Sequence, residues 1–350
     1  MTAVHSPGPT ALGRFGWAKD VDALNIGLML LSGAAAFTAP FEVFLFAYAV
    51  LGPLHYLTQI GWLHQRSYFL PSRLGAAPLW LLGAVAIAST EGWLSSSPWT
   101  DVAERSAAIG VVLAVALAVT PKSRIWLAVP FAGIGLLVER FTREWNGYTF
   151  WLLFMVPTLL HVFGFTLLFV LRGAQRSRRR LGYVSAGVLI AVAAVCFLWR
   201  PGSVQAPSTY ALNSYGYFSG VNVAVIQQFE LVPAEVFAGD QLGLLYNSPV
   251  GLALMRFIAF AYTYHYLNWF SKTSVIKWHR VEKWQLATIV ALWLCAVGLY
   301  LSDYARGMRW LAFLSFAHVL LELPLNVRTG GEFLRGLVPR VRRNNQTAEL

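Results

Sequence analysis

Charged side chains make up only 12% of this 350-residue chain, against 57% hydrophobic residues. So little charge excludes a disordered or solvent-exposed protein, and with 14 Trp and a mean hydropathy of +0.55 it identifies a polytopic membrane protein. Cysteine is nearly absent. Cys196 and Cys295 both fall inside apolar segments, so no disulfide framework is implied. No internal repeat, low-complexity block or glycine-rich phosphate loop occurs, and the only long gap between apolar segments is 200–249. Acidic residues are few as well, 16 against 27 Lys and Arg. That imbalance follows membrane topology and gives no reason to expect a nucleic-acid partner.

What is present is a succession of apolar runs. Ten are long enough to be candidate membrane helices, centred on 23–37, 41–63, 76–88, 107–119, 125–138, 149–171, 181–199, 250–270, 284–301 and 310–326. The third, fourth and fifth are the shortest. Arg14 and Lys19 ahead of the first run, with the small residues Gly33 to Ala36, give it the outline of a signal peptide. The second run follows almost at once, so the first is read as an ordinary helix. With the N-terminus inside, the inner loops and tails hold 20 Lys and Arg and the outer loops 6. This asymmetry predicts ten helices with both termini cytoplasmic, in the cytoplasmic (inner) membrane of a bacterium. Residues 1–330 then form one all-α transmembrane domain, with 200–249 as an extracytoplasmic loop and 331–350 as a basic, partly disordered cytoplasmic tail. The runs Arg176, Arg178, Arg179, Arg180 and Arg340, Arg342, Arg343 suit anionic lipid headgroups. In the outer loop, Val221 to Phe237 is apolar enough for an interfacial or re-entrant helix, either capping the bundle or serving as a surface tether.

Four histidines occupy four of these segments, one each. His55, His161, His265 and His318 lie 7 to 11 residues before the basic residues Arg66, Arg172, Lys272 and Arg328 that end their segments. At a rise of about 1.5 Å per residue, all four imidazoles are predicted at one depth, roughly 10 to 16 Å from the inner face. Ionisable groups inside a membrane are costly and face the bundle interior, so four at one level form a candidate metal site. Polar residues three or four positions away share each face. Gln59, Thr158 and Asn268 are candidates to orient the imidazoles from behind, and Glu322 is a candidate extra ligand or catalytic base. Iron with open positions is the metal this set suggests, and haem is disfavoured because no helix carries histidines spaced for stacked haems. Haem or quinone binding, a proton or ion path in a transporter or channel, and simple polar packing stay open as alternatives. His64, His279 and His5 read as interfacial or solvated. Glu42 and Arg256, near the outer ends of their helices, are positioned to pair. Tyr262 and Trp269, in a cluster with Tyr264, Tyr266 and Phe270, are candidates for the wall of a site for a long hydrophobic small molecule.

The segments GPLHYLTQ (Gly52 to Gln59), HVFGF (His161 to Phe165), YHYLNWF (Tyr264 to Phe270) and AHVLLELP (Ala317 to Pro324) resemble the Brp/Blh family of membrane β-carotene 15,15'-dioxygenases. That family carries isolated histidines on several helices around a non-haem iron. The resemblance covers about a tenth of the chain and implies Fe(II), dioxygen chemistry and a lipid-soluble substrate such as an isoprenoid or fatty chain. Where the family has an Asp four residues after the first histidine this chain has Gln59, and where it has a second histidine in the third motif this chain has Trp269. The spacing between the first two motifs is longer here by about two helices.

Overall fold

In an apolar environment every backbone polar group has to be satisfied internally, and a helix does so within one segment. The computed structural model describes residues 17–90, 99–120, 126, 128–142, 150–199, 206–233, 239–272 and 281–337, and among these there is no strand. The elements are α1 (Trp17–Thr38), α2 (Pro40–Gln65), α3 (Ala77–Thr90), α4 (Trp99–Val119), α5 (Ala128–Thr142), α6 (a π-helical stretch Phe150–Phe165 continuing as Thr166–Ser177), α7 (Arg180–Leu198), α8 (Thr209–Gln228), α9 (Gln241–Asn247), α10 (Pro249–Ser271), α11 (Lys283–Ser302) and α12 (Tyr304–Leu337). Each of the ten apolar runs coincides with a helix. Six helices are long and apolar enough to cross a membrane, and a seventh span is added if α9 and α10, bent by 67°, count as one. The runs at 76–88 and 107–119 form shorter apolar helices.

Helices α2, α6, α10 and α12 form the centre. α1 and α7 pack on the α10 side, and α3 and α4 pack on α12. The core follows this plan, with one apolar cluster centred on α1, α2, α7, α8 and α10 and another joining α2, α3, α4 and α12. Polar clasps fix the pairs. Tyr264 on α10 donates to the side-chain amide oxygen of Asn25 on α1 at 3.2 Å, and the Ser271 hydroxyl lies at the same distance from it. At the other side Arg172 on α6 binds Glu332 through two N–H groups, at 3.3 and 2.9 Å, and Gln175 donates to the Phe333 carbonyl. These contacts extend α12 as helix to Leu337, seven residues into what the sequence suggested was a disordered tail. Residues 338–350 lie outside the described residues.

The outer loop also differs from expectation. Its helix begins at Thr209, twelve residues before Val221, because the Ser208 hydroxyl accepts the Ala211 N–H at 3.2 Å and caps the first turn. The helix is buried along one side: Tyr215 donates to Asn222 at 2.6 Å, and Tyr215 and Phe218 pack edge-on against Phe44 of α2. It is therefore part of the bundle and no surface tether. Residues 234–237 of the expected helix lie outside the described residues. Beyond it the chain turns sharply from α9 into α10, and Gly251 makes the corner possible. A Cβ there would press against the Leu244 and Leu245 carbonyl oxygens. Gly251→Ala is expected to destabilise the protein by about 1–3 kcal/mol, as overpacking does. A thermal midpoint in detergent equal to that of the wild type would show that the corner yields freely.

Candidate metal centre

Two of the four histidines lie within or just after a locally widened stretch of helix. In α2 the Gly52 N–H reaches five residues back to the Ala47 carbonyl, giving a π-helical turn Ala47–Leu51 just ahead of Pro53. Proline has no N–H to donate and its ring crowds the carbonyl four residues earlier, so a widened turn there relieves the clash. His55 follows by two residues. His161 lies within the longer π-helical stretch of α6. Such widened turns recur at functional sites because they shift a side chain out of the ordinary helical register. His265 is on α10 and His318 on α12, the latter six residues ahead of Pro324.

The four side chains are buried and converge. Ligand nitrogens of His55, His265 and His318 all lie within 4.8 Å of one another. His161 joins them from the side, its Nε2 3.1 Å from Nε2 of His318 and its ring 5.0 Å from that of His265. Two ligands bound to one first-row metal at about 2.1 Å are separated by at most about 4.2 Å, so the cluster needs only a small contraction to share an ion.

The outer partners of the rings indicate which nitrogens are free. Thr166 donates its one proton to the Val162 carbonyl at 2.7 Å, and its oxygen is 2.8 Å from His265 Nδ1. The hydroxyl must then accept from Nδ1–H, which leaves the lone pair on Nε2, the nitrogen without a hydrogen-bond partner. Glu322 Oε2 stands 3.5 Å from His161 Nδ1, and the Gln59 amide hydrogen-bonds the same carboxylate. That carboxylate is the charged group nearest Nδ1, and on the other side of the ring Nε2 shares a proton with Nε2 of His318. His55 has no hydrogen-bond partner at either nitrogen. Buried polar atoms are nearly always satisfied, so the unpartnered nitrogens of His55 and His265 within this cluster are what a shared cation explains. The donor set fits a metal such as iron, zinc or copper.

No family model, curated protein or solved structure matches this chain.

Of the candidates to orient the rings, Gln59 hydrogen-bonds Glu322, which stands 3.5 Å from His161. Asn268 is buried but forms no hydrogen bond to a histidine among the described residues. Thr158 lines a cavity. Thr166 lies five residues after His161, outside the three- and four-residue spacings that place side chains on one face of an α-helix. In a π-helical register, residues five apart share a face. Thr166→Val is expected to weaken metal binding by roughly 10 to 100-fold, with Thr166→Ser restoring it. Competition with a chromophoric chelator measures this, and wild-type affinity in the valine variant would exclude the hydroxyl from the site.

A cavity of about 440 Å³ reaches the cluster from one side, with His161, His265 and His318 in its wall. Its lining is mostly apolar, and its volume falls in the range of about 300–1,000 Å³ typical of ligand pockets. Thr158, Tyr262 and Ser315, each three residues before a histidine, all line it. Gln59, Phe165, Trp269 and Glu322, each four residues after one, do not. The shared pattern is that of α6, α10 and α12 running in the same direction, with the cavity on one side of the histidine layer and a floor on the other. Of the two aromatic residues read as candidate walls, Tyr262 lines the cavity. Trp269 belongs to the floor, where its indole donates to Thr58 at 3.0 Å and its ring meets Trp62 and His55. Glu322 is likewise behind the histidines and away from anything in the cavity. α8 also lines the cavity, through Phe218, Val221 and Val225.

Proposed function

We propose that this protein is a membrane-embedded non-haem metalloenzyme, an iron oxygenase acting on a lipid-soluble substrate such as an isoprenoid or fatty chain. One observation carries the reading: buried imidazoles from four helices meet at the end of an apolar cavity, and both nitrogens of His55 and Nε2 of His265 have no hydrogen-bond partner. A bound Fe(II) would supply the oxidising chemistry toward dioxygen. The chain's own residues do the remainder. Thr166 fixes the His265 tautomer that directs a lone pair inward, Glu322 stands behind His161, and the residues three positions before the histidines give an extended substrate a dry wall to lie against. The motifs that resemble the Brp/Blh family support the same class of chemistry. Haem is less well supported, since a porphyrin needs clear space around its iron and four imidazole rings crowd this one.

A substrate of this kind reaches the cavity from the bilayer. Ten spans with both termini cytoplasmic are supported by the 20 to 6 division of basic residues and by a helix in each apolar run. Cysteine labelling from each side tests the orientation, and an externally labelled C-terminus would reverse it.

The decisive experiment is elemental analysis of the detergent-purified protein. About one iron per chain without a Soret band is the expected result. Folded, active protein free of metal would overturn the enzyme reading and favour a proton or ion path through the same histidines.

A further inference from the structure

A second pocket, of about 660 Å³, lies at the end of the bundle where α1 turns into α2, bordered by that turn, by residues 206–208 and by Arg256 of α10. It does not share a residue with the histidine cluster. Arg256 is only 7% exposed. Its guanidinium rests on the Phe37 ring at 4.6 Å and makes one long hydrogen bond, 3.4 Å, to the Trp199 carbonyl. Its Nε has no partner, and no carboxylate of the described residues lies within 4.0 Å. A guanidinium carries five N–H donors, so most of this one's are unspent. A buried cation without an anion costs several kcal/mol, and breaking such pairs is strongly destabilising.

The expected partner faces the same pocket and is engaged elsewhere. Glu42 accepts the Ser208 N–H at 3.0 Å and does not pair with Arg256. Two opposite charges therefore border one polar space while held apart, an arrangement complementary to a ligand that carries both signs. Guanidinium matches phosphate oxygens in a bidentate way. A carboxylate accepts hydrogen bonds from a primary ammonium and gets none from a quaternary one. The pocket is level with the α1–α2 turn, where headgroups of a bilayer crossed by these helices would lie, and Phe37 and Leu252 give it apolar edges.

We propose that this pocket binds a phosphoethanolamine zwitterion, its phosphate on Arg256 and its ammonium on Glu42, presented by a phospholipid headgroup. The site is independent of the metal centre, and either can fail without the other.

The test uses the full-length protein, delipidated in detergent and titrated with phosphatidylethanolamine, phosphatidylcholine or phosphatidylglycerol, with lipid retention read by native mass spectrometry. The wild type is expected to retain phosphatidylethanolamine about tenfold more tightly than either other lipid. Glu42→Gln, at a partly exposed position where folding is not in question, should abolish the preference over phosphatidylglycerol, and Arg256→Gln should weaken all three. Competition by free phosphoethanolamine would assign the same site to a soluble zwitterion, and absence of competition assigns it to the lipid. Equal retention of the three lipids by the wild type, or an unchanged preference in Glu42→Gln, would overturn the proposal.

Discussion

His55→Ala, His265→Ala and His318→Ala are each expected to lose bound metal almost completely on purification, while His64→Ala keeps it. Apparent metal-binding free energies of about 10–16 kcal/mol for four-ligand sites give about 3 kcal/mol per ligand, a loss on the order of 100-fold for each imidazole removed. His64 is a fair control because it is also a helical histidine, but it spends its ring on the Tyr68 hydroxyl at 3.1 Å and stands outside the cluster. His55 discriminates best between a metal site and polar packing. Neither of its nitrogens has a hydrogen-bond partner in the protein, so removing the ring breaks no protein hydrogen bond. Under the packing alternative, His55→Ala would change stability equally with and without chelator. Under the metal reading, chelator lowers the thermal midpoint of the wild type and has little effect on the variant, since ligand binding to the folded state alone is what raises it. A chelator response that is the same in both proteins would sink the shared site.

The histidine layer was legible in the sequence because membrane thickness converts residue number into depth. A count from each histidine to the basic residue ending its segment needs no knowledge of packing. Once four helices run in parallel, equal counts bring equal depths together. What surrounds the layer was less legible. Positions three before and four after a histidine share its helical face, so Tyr262 and Trp269 looked alike in sequence. They are seven residues apart, about 10.5 Å along the axis, and the layer falls between them, one side a cavity and the other a floor. Thr166 was hidden by the π-helical register of α6, and α8 by its polar composition. Its Asn222 and Tyr215 satisfy each other, which lets a Ser, Asn and Gly-rich segment bury a face that hydropathy alone would leave in solvent. The expected Glu42 and Arg256 pair did not form, because a capped turn at Ser208 offered the carboxylate a backbone N–H first.

Filling the cavity should separate substrate binding from metal binding. Ala261 on α10 and Ala312 on α12 both line it. Ala261 is one turn from His265 toward the cavity. Ala261→Phe and Ala312→Phe each place a ring where an extended chain would have to lie, on the side of the histidine layer away from Glu322 and Gln59. The floor and the ligand nitrogens are untouched, so metal content should equal that of the wild type. Binding of a fluorescent polyene fatty acid, taken as a probe of long apolar chains, should fall strongly. Any turnover should drop by about 100-fold, the scale on which a misplacement of about 1 Å acts on an oriented substrate. Overpacking a buried site also costs about 1–3 kcal/mol of stability, so Ala261→Leu, with a smaller side chain, serves as the graded companion and should give an intermediate loss. The two measurements have to diverge. If metal and probe binding fall together in both phenylalanine variants, the change has disturbed the bundle and the leucine variant decides. If probe binding survives in all three with metal retained, the cavity is packing space between helices, and the substrate of the metal centre approaches it by another route.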